Sequence, residues 1–145
     1  MSRSGLMSIC SELVDLLDRS TEDERYRIVE RACLLAIRRS GVSDPRLVDA
    51  LDAIRRRDFT PPHLCVQVDT LTQELDEAAW GVQDRIETGD ATEVEYHQHF
   101  AKARAVAAVG FALDGSATAS FESLYEAYYA IGEKCSSFRA MLDLG

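Results

Sequence analysis

No apolar run in this 145-residue chain approaches the roughly 18–20 residues that a membrane-spanning helix needs. Proline and glycine are sparse, at 3 and 8 residues, which excludes collagen-like and low-complexity classes. No segment sustains the period-two alternation of a half-buried strand, so a sheet architecture is not expected. The motifs of common catalytic centres are missing: there is no G-x-S-x-G, no P-loop, no G-x-G-x-x-G and no H-E-x-x-H. The E-x-x-H spacing of carboxylate-bridged di-metal bundles is also lacking, because Val94, Tyr96 and Thr60 stand three residues before His97, His99 and His63.

The four cysteines, Cys10, Cys33, Cys65 and Cys135, form no C-x-x-C pair. Cys10, Cys33 and Cys135 fall among apolar residues of helical segments and read as buried free thiols. A disulfide framework is not expected in a core-rich chain of this size. Glu12, Asp15 and Asp18 interrupt the apolar content near the N-terminus, which is unlike a secretory core segment. The sequence therefore predicts a cytoplasmic protein.

Basic residues are scarce in one part of the chain. Residues 1–60 hold 11 arginines and 11 acids, whereas residues 61–145 hold 5 basic residues against 14 acids, so the whole net charge of −9 lies in the second part. Asp69–Glu95 alone contains nine acids and one base, Arg85. Such a surface repels nucleic acid and anionic membranes and attracts basic partners, although acidic faces also serve solubility alone. The run Arg55-Arg56-Arg57 follows a helix–turn–helix-like spacing. In so acidic a chain it reads better as compensation of a helix dipole than as a DNA contact.

What remains is helical punctuation. Thr21 with Glu24 forms a capping box, Gly41 offers a left-handed cap, and Asp44-Pro45 starts a further helix. Thr60 is positioned to cap a long helix that begins at Pro61, and Thr92 with Glu95 opens another. The segment Ala103–Leu113 is apolar nearly all round except Arg104, which marks a central helix. The prediction is an all-α bundle of about six helices in one domain over residues 1–145, with sub-layers 1–59 and 60–145. The first helix is placed at Ser8–Asp18 and the sixth at Ser120–Leu142, and the central helix is rich in alanine.

Candidate functional residues follow from the long helix. At about 100° per residue, its apolar stripe of Leu64, Val68, Leu71, Leu75, Ala78, Val82 and Ile86 occupies one side, and Trp80 falls about 160° away. Asp69, Gln73, Asp76, Glu77 and Asp84 share Trp80's side. The only tryptophan of the chain, ringed by acids, resembles an aromatic anchor within a steering field, although a helix covered on two sides would bury it. The expected site is Asp69, Gln73, Asp76, Glu77, Trp80 and Asp84, with a basic protein partner, no metal and no cofactor.

Arg104 requires a carboxylate partner, which Glu122, Glu126 or an acid of the long helix could supply. An alternative reading is a helical-bundle enzyme or small-ligand binder with a buried pocket around Arg104, His97 and the tyrosines Tyr125, Tyr128 and Tyr129. A symmetric homo-oligomer through an apolar helix face is a third option. The segments Phe100–Asp114 and Phe121–Gly132, which span part of the last third to half of the chain, resemble small bacterial all-helical proteins of the immunity-protein type. That resemblance implies a non-enzymatic protein that binds and inhibits a cognate bacterial toxin, and it carries no catalytic residues.

Overall fold

The computed structural model describes residues 2–143. Among these residues all regular structure is helical: α1 (Ser2–Ile9), α2 (Ser11–Arg19), α3 (Glu22–Ser40), α4 (Pro45–Arg56), α5 (Pro62–Glu87), α6 (Glu93–Ala112), α7 (Ala117–Ile131) and α8 (Cys135–Met141). The fold is the all-α bundle that the sequence implies, with eight helices in place of about six. The two additional breaks have local causes. Cys10 leaves helical geometry between α1 and α2, so the helix expected over Ser8–Asp18 starts only at Ser11 as α2, and the residues before Cys10 form a separate helix, α1, that the sequence reading did not place. Gly132 takes the left-handed conformation at φ 72° and closes α7, while its amide still donates to the Tyr128 carbonyl. The apolar spacing continues across that break, which is why the sequence pattern reads as one helix.

The start signals hold closely elsewhere. The Thr21 hydroxyl accepts the Glu24 amide at 3.1 Å, and Glu24 accepts the Thr21 amide at 2.9 Å. Those hydrogen bonds, first the one from the Thr21 backbone, hold the Glu24 carboxyl below its usual range. Asp44 caps α4 through the Arg46 amide, and the Arg46 guanidinium also reaches Glu74 on α5 at 3.0 Å. The start of α5 differs from expectation. Thr60 makes no cap bond and its hydroxyl instead donates to Asp58 at 2.6 Å; Pro61 stands at the cap and Pro62 opens the helix. Thr92 accepts the Glu95 amide at 3.3 Å, while the Glu95 carboxylate turns to Arg85 at 3.7 Å.

Helix α6 is central, packing against α3, α4, α5 and α7. Ala103, Ala105, Val106, Ala108, Val109 and Ala112 are all buried along it. Small side chains let the neighbouring backbones approach closely, so α7 can be tied to α6 through a buried polar contact. The Ser123 hydroxyl donates to the Ala108 carbonyl at 2.8 Å and lies 3.6 Å from the Cys33 thiol. The buried Cys33 is pushed up to about 12 by desolvation, so it stays a neutral thiol. The core runs without interruption from Leu6 in α1 to Phe138 in α8, crossing residue 60.

The turn between α6 and α7 is fixed by a close approach. A Cβ on Gly115, at φ 77°, would stand 2.6 Å from a ring carbon of Phe59. Arg25 holds the same turn by donating to the Gly115 carbonyl and the Ser120 hydroxyl. Gly115→Ala therefore combines left-handed strain with a clash against a ring, and it is expected to lower stability by about 2 kcal/mol in urea unfolding.

The cysteine expectation requires correction. Cys10 and Cys135 are joined by a disulfide with Cα atoms 5.5 Å apart, tying the α1–α2 junction to the first residue of α8. Cys33 and Cys65 are free. Sequence spacing offered no sign of the pair, because its members are separated by 125 positions and meet only when α8 folds back onto α2.

Candidate functional site: the acidic side of α5 and the cavity beside α6

The side of α5 away from its buried stripe divides into two strips. Gln73, Glu77, Trp80 and Asp84 are exposed on the outer strip, and the indole of Trp80 is 63% accessible. None of these four residues packs beneath another helix. They form a ridge on which an aromatic body stands among carboxylates, and none of Glu77, Trp80 or Asp84 is engaged by a cation among the described residues.

Asp69 and Asp76 occupy the inner strip, on the flank toward α6, where Asp69 is still exposed and Asp76 is half-buried. Arg104 rises from α6 and bridges two helices: it donates to both oxygens of Asp76 at 2.8 and 3.0 Å, and to Glu126 of α7 at 2.8 Å. This is the carboxylate pairing that an arginine inside an apolar helix requires. The guanidinium also lies 5.6 Å from the Phe100 ring centroid. Burial pushes the Glu126 carboxyl above its usual range; Arg104 offsets part of that effect, and Glu122 and Asp76 add to it. Burial opposes the charge on Arg104, and the two carboxylates more than compensate.

Beside this network lies a cavity of about 500 Å³ between α5, α6 and α7. Cys65, Asp69, Thr72 and Asp76 line it from α5; Arg104, Ala107, Gly110 and Phe111 line it from α6. Asp114, just beyond α6, and Glu126 complete the wall. A smaller cavity of about 230 Å³ lies on the other side of Arg104, among Phe100, Tyr125, Glu126 and Tyr129. Tyr129 makes edge contacts with both Tyr125 and Tyr128, and it is partly open to solvent. His97 is exposed against Tyr96 and lines neither cavity.

The sequence reading placed Asp69, Asp76 and Arg104 but overlooked Cys65, Thr72, Gly110, Phe111, Asp114 and Glu126 as one lining. A signal was present. Positions 65, 69, 72 and 76 form a helical stripe, and so do 104, 107, 111 and 114. Each stripe mixes small, polar and charged residues, unlike the aliphatic stripe that makes the core. Their juxtaposition depends on how α5 packs on α6, which neither stripe states alone.

The arginine run does not form a free basic surface. Arg55 and Arg56 both pair with Asp52, and Arg57 pairs with Asp23 and lies 5.2 Å from the Tyr26 ring centroid. No helix of the described residues is long and apolar enough to cross a membrane. Comparison with protein-family models, with curated proteins and with solved structures returns no match, so the site is read from its own geometry.

Proposed function

We propose that this protein is a non-enzymatic interaction module that docks through the outer strip of α5 onto a basic protein surface. The observation that carries the reading is the exposure of Trp80 among Gln73, Glu77 and Asp84. A lone tryptophan left 63% accessible forgoes much of the stabilisation that burying a large aromatic provides. Tryptophan is also among the residues that most often anchor interfaces, in patches rimmed by polar groups. The surrounding carboxylates would speed encounter with a basic partner, while the indole would slow release.

Within this class, the immunity-type reading accounts for the charge best. A toxin that degrades nucleic acid needs a basic substrate cleft, and an acidic helical ridge is complementary to one. Inhibition would then follow from occupation of the cleft, with Asp69 and Asp76 at the edge of the contact. The compartment belongs to the same proposal. Cytoplasmic synthesis agrees with the N-terminal sequence, and the Cys10–Cys135 disulfide suits a mature form held in an oxidising environment.

The test uses the product of the gene adjacent to the one encoding this chain. Its affinity for the wild-type protein is compared with that for Trp80→Ala and for the double reversal Glu77→Lys/Asp84→Lys. Truncation of the indole is expected to weaken binding by about 30-fold, or about 2 kcal/mol, through a faster off-rate. Charge reversal is expected to lower the on-rate and flatten its salt dependence. Because Trp80 is exposed, the unfolding free energy of Trp80→Ala should stay within about 0.5 kcal/mol of wild type. Affinities that do not respond to either substitution would exclude this ridge as the docking surface.

A further inference from the structure

We propose that the cavity between α5, α6 and α7 is a binding site for an organic cation, an ammonium or guanidinium group carried on a short apolar stem. The inference does not depend on the Trp80 ridge. Its volume of about 500 Å³ lies within the range of small-molecule sites. Four carboxylates and one guanidinium line it, and they are not equivalent. Arg104 answers Asp76 and Glu126, which closes one end of the cavity with a balanced network. Asp69 and Asp114 enter no ion pair among the described residues, and Asp114 accepts only the Ser116 amide at 3.2 Å.

The two unpaired carboxylates act on the same space. Cys65 lies in the lining with them, and its thiol is pushed up first by burial and then by the charges of Asp69 and Asp114. A cation entering this region meets a negative field. Beside these carboxylates it meets Ala107, Gly110 and the Phe111 ring, which supply apolar surface for an aliphatic stem and an aromatic group for a cation. The carboxylates do not converge on a point: among the described residues no three His, Cys, Asp or Glu side chains stand close enough to share a metal ion. The lining therefore matches an organic cation with apolar surface beside its charge better than a bare metal ion.

Gly110 supplies a control of shape. A Cβ at this position would meet Asp69 Oδ1 and Val68 Cγ1 at 3.5 Å, an ordinary contact, so alanine fits while narrowing the space. The same cation chemistry could come from a free polyamine or from a basic side chain of a protein partner, and the test separates them.

Agmatine and spermidine represent the free cation, acetyl-arginine methylamide represents the side chain, and N-butylacetamide is the neutral control. Each is titrated calorimetrically into the full chain. Saturable one-to-one binding is expected for at least one cation and none for the neutral amide. Asp69→Asn/Asp114→Asn, which keeps the Ser116 contact, should weaken the bound cation at least tenfold. Gly110→Ala should weaken it as well, with an unfolding midpoint equal to or above wild type. Trp80→Ala should leave it unchanged. Tighter binding of agmatine or spermidine assigns the site to a free cation, and tighter binding of the arginine derivative assigns it to a partner's side chain. No saturable binding of any cation, or binding indifferent to loss of the two carboxylates, overturns the proposal.

Discussion

Replacing Cys10 and Cys135 together by serine, or reducing the bond between them, is expected to remove up to about 5 kcal/mol of stability, the largest single effect in this molecule. The bond closes a loop across 125 positions, and the loss of unfolded-chain entropy grows with the logarithm of loop length. The short helices α1, α2 and α8 are its dependants. An isolated helix below about 12 residues is marginal in water, so each is held by what it packs on. Leu6, Leu13, Val14 and Leu17 from the first two helices, and Phe138 and Leu142 near the last, are buried in the common core. Urea unfolding with and without dithiothreitol measures the effect. The central helices α3, α5, α6 and α7 should retain helical signal in the reduced protein at urea concentrations where the oxidised form is still intact. A midpoint indifferent to reductant would show that the clasp contributes nothing to the folded state.

Removal of the Arg104 guanidinium has the next largest expected consequence. Arg104→Met preserves much of the aliphatic bulk but leaves Asp76 and Glu126 without their cation in a partly buried site. The expected loss at pH 7 is about 3 kcal/mol, since an unpaired carboxylate must be desolvated or must take up a proton. Glu126→Gln should differ sharply. Its amide oxygen still accepts from Arg104, Asp76 still balances the guanidinium, and the buried charge of Glu126 is gone. A change of less than about 1 kcal/mol is expected there.

The pH dependence separates the two variants further. Burial raises the Glu126 carboxyl above its unfolded value. Its contribution to folding is therefore complete below the unfolded pKa and is lost as pH rises through the higher folded value. Without Arg104 that folded value rises further, so Arg104→Met should recover part of its lost stability on acidification from neutral pH. Glu126→Gln should lose this group's component of the pH dependence. Denaturant midpoints of the wild type and both variants, measured between pH 7 and pH 4, would reveal the crossover. Parallel curves for Arg104→Met and wild type would show that the network is not coupled to protonation.

The ridge and the cavity show how far a helical wheel reaches. The wheel placed Trp80 opposite the aliphatic stripe of α5, because spacing by threes and fours maps directly onto one side of a regular helix. It also grouped Asp76 with Trp80, although the two side chains have different surroundings. Asp76 faces Arg104 because α6 packs along that edge of α5, whereas Trp80 stands one turn further on and away from it. A difference of some 40° on the wheel becomes a difference between cavity wall and open ridge only when a neighbour lies along one flank.

The chain's own order of residues determined its helical character, its capping at Thr21, Asp44 and Thr92, the centrality of the alanine-rich α6 and the need of Arg104 for acidic partners. Each is a local matter, set by backbone geometry, side-chain reach within a few residues, or the cost of an uncompensated charge. Tertiary structure decided that Cys10 meets Cys135, that Gly132 divides one apolar pattern into α7 and α8, and that Asp69 and Asp114 face one cavity. Those outcomes depend on which helix faces lie against one another, and residues far apart in sequence acquire a shared environment only when burial of the core brings their helices together.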